Sequence, residues 1–251
     1  MLGFVFVAVC VALRHLLLER PILCMTVMLV GAINLYVALA NIIPMKTAMI
    51  NNDGMNAITL RHSPAAIESF RIQLLMNAES SRGVSVTDMP AEWFELTDDA
   101  DLLDTMVAAR AYLRFVRLFT DGKFTEARRL GEHLLENAAL VGVYRAQLIN
   151  DIGYIAAING DKETAHRIFR RERTKYHSLF RMNLAGARSS YAYQRLILGS
   201  EAGARNYRRH LDTLLTKLGN YAFKQDIDLE MALIETVDKI YDRMAEQRPE
   251  K

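Results

Sequence analysis

The sequence predicts an all-α protein with N-terminal transmembrane helices, and three observations lead to this prediction. Hydrophobic residues make up 51% of the 251 positions, whereas glycine and proline contribute only 13 and 5 residues. A composition poor in turn-forming residues favours helices. Formal charges are scarce in residues 1–45, and apolar residues recur at helical spacing in the remainder. We therefore expect membrane helices followed by an α-solenoid-like array of helical hairpins.

The N-terminal segment, residues 1–45, is predicted to lie in a membrane as one partial and one full transmembrane helix. Residues 21–43 are uncharged and would span about 34 Å as a helix, which is enough to cross a bilayer. Residues 2–13 are equally apolar but span only about 18 Å, so we expect that this helix begins upstream of the chain. A cleaved signal peptide is the alternative, but no basic segment precedes the first apolar run. Arg14 and Arg20 balance Lys46 and Arg61, so the positive-inside rule does not set the orientation.

The chain that follows the second apolar run, residues 46–101, is predicted to be a loop and a linker. In one interpretation Pro44 simply ends the helix and residues 51–54, Asn-Asn-Asp-Gly, form a turn. Residues 65–77 are expected to form a short amphipathic helix. Residues 79–101 form a linker with Trp93 and Phe94, which either dock a partner or pack against the first repeat. We favour packing.

The same segment also resembles a known enzyme family. An apolar helix that runs into Asn-x-x-Pro, at Asn41 and Pro44, and then into Asp-Gly, at Asp53 and Gly54, resembles the second signature of the site-2-protease family, the intramembrane zinc metallopeptidases. The resemblance covers about residues 1–60. It implies that Asp53 is a metal ligand, while Asn41 and Pro44 shape the loop before it. A catalytic zinc takes three protein ligands with nitrogen or oxygen donors and keeps one position open.

The rest of the family's zinc site is missing from this sequence. No His-Glu-x-x-His occurs, and no two histidines are spaced i, i+4 among His15, His62, His133, His166, His177 and His210. That spacing places two imidazoles on one helix face with the glutamate beside them as general base. We therefore expect no catalytic residue in this chain, no activity of the chain alone, and zinc only if an upstream part supplies the other ligands.

Residues 102–251 are predicted to form a helical repeat domain. A glycine is followed five residues later by an alanine at three places, and these glycines at positions 122, 160 and 199 are 38 and 39 residues apart. Apolar residues spaced three and four apart flank each glycine, which indicates two helices around each turn. The spacing resembles degenerate tetratricopeptide repeats, and this resemblance implies that the repeats bind a protein partner. A last helix over residues 226–246 would cap the array.

Charge and cysteine content exclude several classes of protein. The 31 Lys and Arg residues nearly balance the 29 Asp and Glu residues, so no global field would gather nucleic acid. Cys10 and Cys24 are too few for a disulfide framework. Two basic runs are expected to lie on solvated helix faces rather than to bind acidic lipid headgroups; they comprise Arg167, Arg170, Arg171, Arg173 and Lys175, and Arg205, Arg208 and Arg209.

Two functions from different classes are consistent with these patterns. The first is a truncated or degenerate site-2-protease-like membrane metallopeptidase whose helical-repeat domain recruits or gates a protein substrate. The second is a non-enzymatic membrane-anchored helical-repeat adaptor. Both predict an integral protein of a bacterial cell membrane, with the repeat domain in the cytosol and with partners limited to the membrane and other proteins.

Overall fold

A computed structural model describes residues 11–12, 15, 19–45, 50–61, 63–97, 99–218 and 224–247. The described residues are predominantly helical and include no β-strand, which confirms the predicted all-α class. The chain divides into two compact units, Met1–Ser63 and Pro64–Lys251. The first predicted membrane segment, residues 2–19, lies almost wholly outside the described residues.

The first unit contains an apolar helix that is long enough to cross a bilayer. Helix α1, Pro21–Ile42, begins with proline, whose fixed φ and missing N–H suit the first helical position. Two of its polar side chains bond within the helix: Thr26 Oγ1 donates to the Ile22 carbonyl at 2.9 Å and Asn34 Nδ2 donates to the Val30 carbonyl at 2.8 Å. Internal pairing is what hydrocarbon surroundings require of a polar group. A short helix, α2, Asp53–Arg61, follows and packs against α1.

The second unit opens with helix α3, Pro64–Ser81, which is longer than the predicted residues 65–77. A 3₁₀ turn, Ala91–Phe94, then leads to helix α4, Thr105–Thr120, and α3 packs against α4. Phe94 is buried with Ile72 and Met76, and Trp93 packs against this small cluster. Leu113 of α4 packs against the same cluster, so the predicted packing against the first repeat is observed, with α3 supplying the other residues.

The remaining elements of the second unit alternate regular helices with tighter and wider turns. They are α5 (Phe124–Asn137), α6 (Gly142–Ile158), α7 (Lys162–Arg167), a π-helical turn (Ile168–Glu172), a 3₁₀ turn (Arg173–Tyr176), α8 (His177–Arg181), α9 (Leu184–Ala192), a second π-helical turn (Tyr193–Ile197), α10 (Glu201–Leu218) and α11 (Lys224–Glu246). Helix α11 confirms the predicted helix over residues 226–246.

Each of the three repeated glycines forms the turn that the sequence predicts. Gly122, Gly160 and Gly199 have φ of 72°, 70° and 61°, a left-handed conformation that suits glycine. The alanines five residues later are 0%, 0% and 1% exposed. They lie where the helices on either side of each turn pack together: α4 with α5, α6 with α7, and α9 with α10.

Helix α6 is the centre of the main core. Residues 148–157 are all buried, because α5, α7 and α9 pack around this helix. An amphipathic pattern is therefore absent from α6, as expected for a helix enclosed on all sides. Helix α11 adds Leu233, Ile234 and Val237 to the same core by packing against α9.

Candidate functional site

The turn between α1 and α2 is organised by the side chain of Asn52. Its amide nitrogen donates to the carbonyl oxygens of Ala40 at 2.7 Å and Ile43 at 2.5 Å. Its amide oxygen accepts from the backbone N–H of Met45 and of Met55, each at 3.0 Å. One side chain thus satisfies free carbonyl groups near the end of α1 and also caps the N-terminus of α2.

Gly54 allows α2 to start in direct contact with the end of α1. A Cβ atom at this position would lie 2.2 Å from the Ile42 carbonyl oxygen and 3.1 Å from that of Asn41. Such distances would force the backbone to shift, so the Asp-Gly pair combines an acidic side chain with a close approach that only glycine permits.

Asp53 is exposed in the first turn of α2. It lies at a helix N-terminus, where an acidic side chain interacts favourably with the helix dipole. Neither a hydrogen bond nor an ion pair joins its carboxylate to another described residue.

The residues predicted by the resemblance lie in one small region, but they do not make a metal site by themselves. Asn41 lies in the last turn of α1, Pro44 follows its end, and Asp53 begins α2. Among the described residues, no three His, Cys, Asp or Glu side chains lie close enough together to hold a metal ion. The described chain offers one carboxylate and does not fit a complete zinc site, which needs three protein ligands. The loop-shaping role assigned to Asn41 and Pro44 is performed in large part by Asn52, which the sequence interpretation left within a plain turn.

A buried ion cluster, Arg188 with Asp151 and Glu230, joins α9, α6 and α11 inside the second unit. Arg188 is 1% exposed, and its Nη2 lies 2.5 Å from Asp151 Oδ1 while Nη1 lies 3.0 Å from Glu230 Oε1. The guanidinium also lies over the rings of Tyr154 at 4.7 Å and Phe119 at 5.2 Å. Two carboxylates and two aromatic faces thus surround one cation.

Burial leaves this cluster incompletely paired. Removal from water raises the pKa of Glu230 to about 7, although Arg188 opposes that shift. Glu230 Oε2 and Arg188 Nε are buried without a hydrogen-bond partner. Asp151 is better satisfied, because Gln147 and Asn150 also donate to it. These contacts hold three helices together, so we assign the cluster a structural role.

A second arginine, Arg173, lies on the other side of Asn150. It donates to Asn150 Oδ1 at 3.1 Å, Ser190 Oγ at 2.8 Å and the Gly186 carbonyl at 2.6 Å. Its guanidinium carbon lies 4.9 Å from the centre of the Phe169 ring and 4.6 Å from that of Phe180. Burial lowers the pKa of Arg173 to about 10. This arginine lines an open cleft of about 90 Å³, here called the Arg173 cleft.

A larger groove runs along α4 and α5. It has a volume of about 360 Å³ and is lined by Arg114, Leu118, Glu126, Arg129, Leu130 and His133. A further pocket of about 160 Å³ shares Arg114, Leu130 and His133 with it and adds Leu96 and Leu102 from the preceding loop. The combined surface, here called the α4–α5 groove, mixes apolar side chains with a surplus of basic ones.

The sequence interpretation missed the Arg173 cleft and the Arg188 cluster. Arg173 was grouped with an exposed basic run; Arg167, Arg170, Arg171 and Lys175 are indeed exposed, but Arg173 is largely enclosed. A usable signal was present in α6, where Asn150 and Asp151 interrupt an apolar run. Polar residues inside a helix that is buried on all sides need partners from other helices.

Comparison of the chain with protein-family models, with curated proteins and with solved structures finds no match. The resemblances to site-2 proteases and to tetratricopeptide repeats therefore stay predictions from the sequence.

Proposed function

We propose that this chain is part of a site-2-protease-like membrane metallopeptidase, in which the second unit recruits or gates a protein substrate. The single observation that carries the proposal is the Asp53 turn. An exposed carboxylate begins the helix α2 that packs against the end of the apolar helix α1, and Asn52 and Gly54 fix the backbone that bears it.

In this proposal Asp53 contributes one oxygen ligand and the other ligands come from another part of the assembly. Two imidazoles and a general-base glutamate on a helix would complete a site of the His-Glu-x-x-His type. Zinc in such a site acts as a Lewis acid and activates water. What this chain itself does is limited to holding a carboxylate at the end of α1 and binding a protein through its helical domain.

The test compares zinc content of the full chain in detergent, alone and co-purified with a membrane segment that carries His-Glu-x-x-His and is encoded upstream or in an adjacent gene. We expect no stoichiometric zinc for the chain alone and one equivalent for the pair. Asp53→Asn should lower the zinc content of the pair, whereas Asp88→Asn, which changes another exposed aspartate, should not. Stoichiometric zinc or proteolysis in the isolated chain would contradict the proposal.

The alternative function, a non-enzymatic membrane-anchored adaptor, is favoured by the α4–α5 groove. Arg114, Arg129 and His133 outnumber the one acidic lining residue, Glu126, and leucines form the groove floor. This chemistry fits a protein segment with alternating apolar and acidic side chains. If the pair described above binds no zinc but an acidic amphipathic peptide binds the full chain, and Arg129→Glu abolishes that binding while Arg205→Glu does not, the adaptor is the better description.

We also infer that the three glycine-turn hairpins stack in order as an α-solenoid-like, degenerate tetratricopeptide-like array that α11 caps. Contacts of α4 with α6, of α6 with α9 and of α9 with α11 support this order. Nitroxide labels at Lys123→Cys, Lys162→Cys and Glu201→Cys, in a chain without Cys10 and Cys24, would test it. Neighbouring turns should be equally spaced, and the first and third turns should lie farther apart.

For location we propose a bacterial cell membrane with the second unit in the cytosol. The support is that α1 is long and apolar enough to span a bilayer. A cysteine placed at Met182, which is 73% exposed, should react with a membrane-impermeant maleimide only after intact cells are permeabilised. Labelling in intact cells would place the second unit outside.

A further inference from the structure

We propose that the Arg173 cleft binds a phosphate monoester, with the phosphoryl group seated against the Arg173 guanidinium. This inference does not depend on Asp53 or on zinc. It rests on the charges that line the cleft, on the missing counter-ion of Arg173 and on the size of the space.

The cleft gathers basic side chains from three separate elements. Arg173 comes from the 3₁₀ turn, His177 and Arg181 from α8, and His210 from α10. Among the described residues that line the cleft, none is acidic. His210 Nε2 lies 2.9 Å from the Arg181 carbonyl oxygen, and this contact fixes the ring at the rim of the cleft. Such a one-sign lining raises the local concentration of anions.

Arg173 differs from Arg188 in what neutralises its charge. Arg188 is paired with Asp151 and Glu230, whereas the three acceptors of Arg173 are neutral oxygens of an amide, a hydroxyl and a carbonyl. No described carboxylate lies within ion-pair distance of Arg173. A guanidinium has five N–H bonds, so two remain after these three contacts. A largely enclosed cation with free donors and no direct counter-ion is stabilised by an anion that enters the cleft.

The surroundings hold the guanidinium in a fixed orientation before any ligand arrives. Phe169 and Phe180 lie against it, at 4.9 and 4.6 Å from ring centre to guanidinium carbon. Gly186, whose carbonyl accepts from Arg173, packs so closely that a Cβ atom there would lie 2.2 Å from the Phe180 carbonyl oxygen. The π-helical turn Ile168–Glu172 places Phe169 at this position. A preorganised planar fork is well suited to a tetrahedral oxyanion.

Size and polarity select the ligand class. The volume of about 90 Å³ has room for a few waters or one tetrahedral oxyanion, and not for a whole nucleotide. The Tyr207 hydroxyl lines the cleft as well and can donate to a phosphoryl oxygen, whereas the hydroxyl protons of Thr174 and Ser190 are donated to the carbonyls of Arg171 and Gly186. The group attached to the phosphate must therefore remain outside, as in a soluble phosphate ester or in the headgroup of phosphatidic acid.

The test is a calorimetric titration of the full chain in detergent with inorganic phosphate and, separately, with short-chain phosphatidic acid. Arg181→Gln removes an exposed lining charge and should weaken binding of either ligand about tenfold, because a charge-assisted hydrogen bond is lost. Arg173→Lys keeps a positive charge but loses the planar fork, and we expect it to abolish binding. Arg171→Gln, in the same basic run but outside the cleft, should bind as the wild type does.

The two ligands distinguish the sources of the phosphate. Equal affinities for inorganic phosphate and phosphatidic acid indicate a soluble phosphate ester, and a clear preference for phosphatidic acid that Arg181→Gln removes indicates a lipid headgroup. Thermal melts should show that Arg181→Gln is folded. The proposal is wrong if neither ligand binds saturably to the wild type, or if binding is the same in Arg181→Gln and Arg171→Gln.

Discussion

Asn150 separates two arginines whose charges are handled in different ways. Its amide nitrogen donates to Asp151, which pairs with Arg188, and its amide oxygen accepts from Arg173. One neutral side chain therefore contacts both the buried ion cluster and the Arg173 cleft. We therefore expect stability and ligand binding to depend more on these few buried polar groups than on the many exposed charges.

The unfolding free energy should depend on pH through the titration of the buried Glu230 carboxyl group. Its pKa of about 7 in the folded protein lies above the ordinary value of 4.5, so its contribution to the unfolding free energy is fully present below pH 4.5 and is lost as the pH rises through 7. Between pH 5 and pH 8 the wild type should lose about 2 kcal/mol of unfolding free energy relative to Glu230→Gln, which has no proton to release. Denaturant unfolding of both proteins in detergent at several pH values measures this difference. Parallel pH profiles would contradict it.

Removing the cation from the buried cluster should be costly. Arg188→Met leaves Asp151 and Glu230 buried without a positive partner, and we expect a loss of about 3–5 kcal/mol in unfolding free energy. The matched control is Arg205→Met on α10, because Arg205 pairs only with Glu201 on the exposed surface, where it is 68% exposed. That control should leave the denaturation midpoint unchanged. Equal midpoints for the two variants would show that the buried pair is not important for stability.

At the scale of elements, the three glycine turns and the helices on either side of them could be predicted from the sequence, whereas the π-helical and 3₁₀ turns could not. A left-handed φ favours glycine and a close helix contact favours alanine, so both features can be recognised from the residue types in the sequence. The π-helical turn Ile168–Glu172 and the 3₁₀ turn Arg173–Tyr176 have no such residue types to mark them. Their course depends on bonds from Arg173 to Asn150 and Gly186, which are 23 and 13 residues away. Likewise Asp53 was identified from neighbouring letters, but the bonds of Asn52 back to α1 depend on three-dimensional geometry.

A substitution at a turn glycine should separate backbone strain from packing. Gly160 has φ of 70° with no atom within 4 Å of a Cβ position, so Gly160→Ala adds no clash and only strains the backbone. We expect a loss of about 1 kcal/mol in unfolding free energy. Gly160→Asn should lose less, because asparagine tolerates the left-handed region. Thermal or denaturant unfolding of both variants measures the difference, and a larger loss for Asn than for Ala would contradict the strain argument.

At the scale of the whole molecule, a charge in the middle of α1 should weaken membrane association more than one at its end. Ile33→Arg places a cation near the centre of the helix and costs about 2.5–3.5 kcal/mol in insertion free energy, whereas Arg at Ile22 can extend to the interface. Both side chains are exposed in the structure, so neither change disturbs packing. We expect the wild type and Ile22→Arg to stay in the membrane fraction after alkaline extraction and Ile33→Arg to be partly released. Release of a wild-type fragment that begins near Asn41 would instead support the signal-peptide alternative.

The enclosed position of α6 has a consequence for the order in which the chain is made. Asp151 emerges from the ribosome 37 residues before Arg188, and Tyr154 emerges 79 residues before its hydrogen-bond acceptor, the Leu233 carbonyl. At a synthesis rate of about 5–20 residues per second, the first delay lasts about 2–7 s. During that interval a nascent α6 has an unpaired carboxylate and apolar faces that α9 and α11 have not yet covered, so its burial is completed only after these later helices are synthesised.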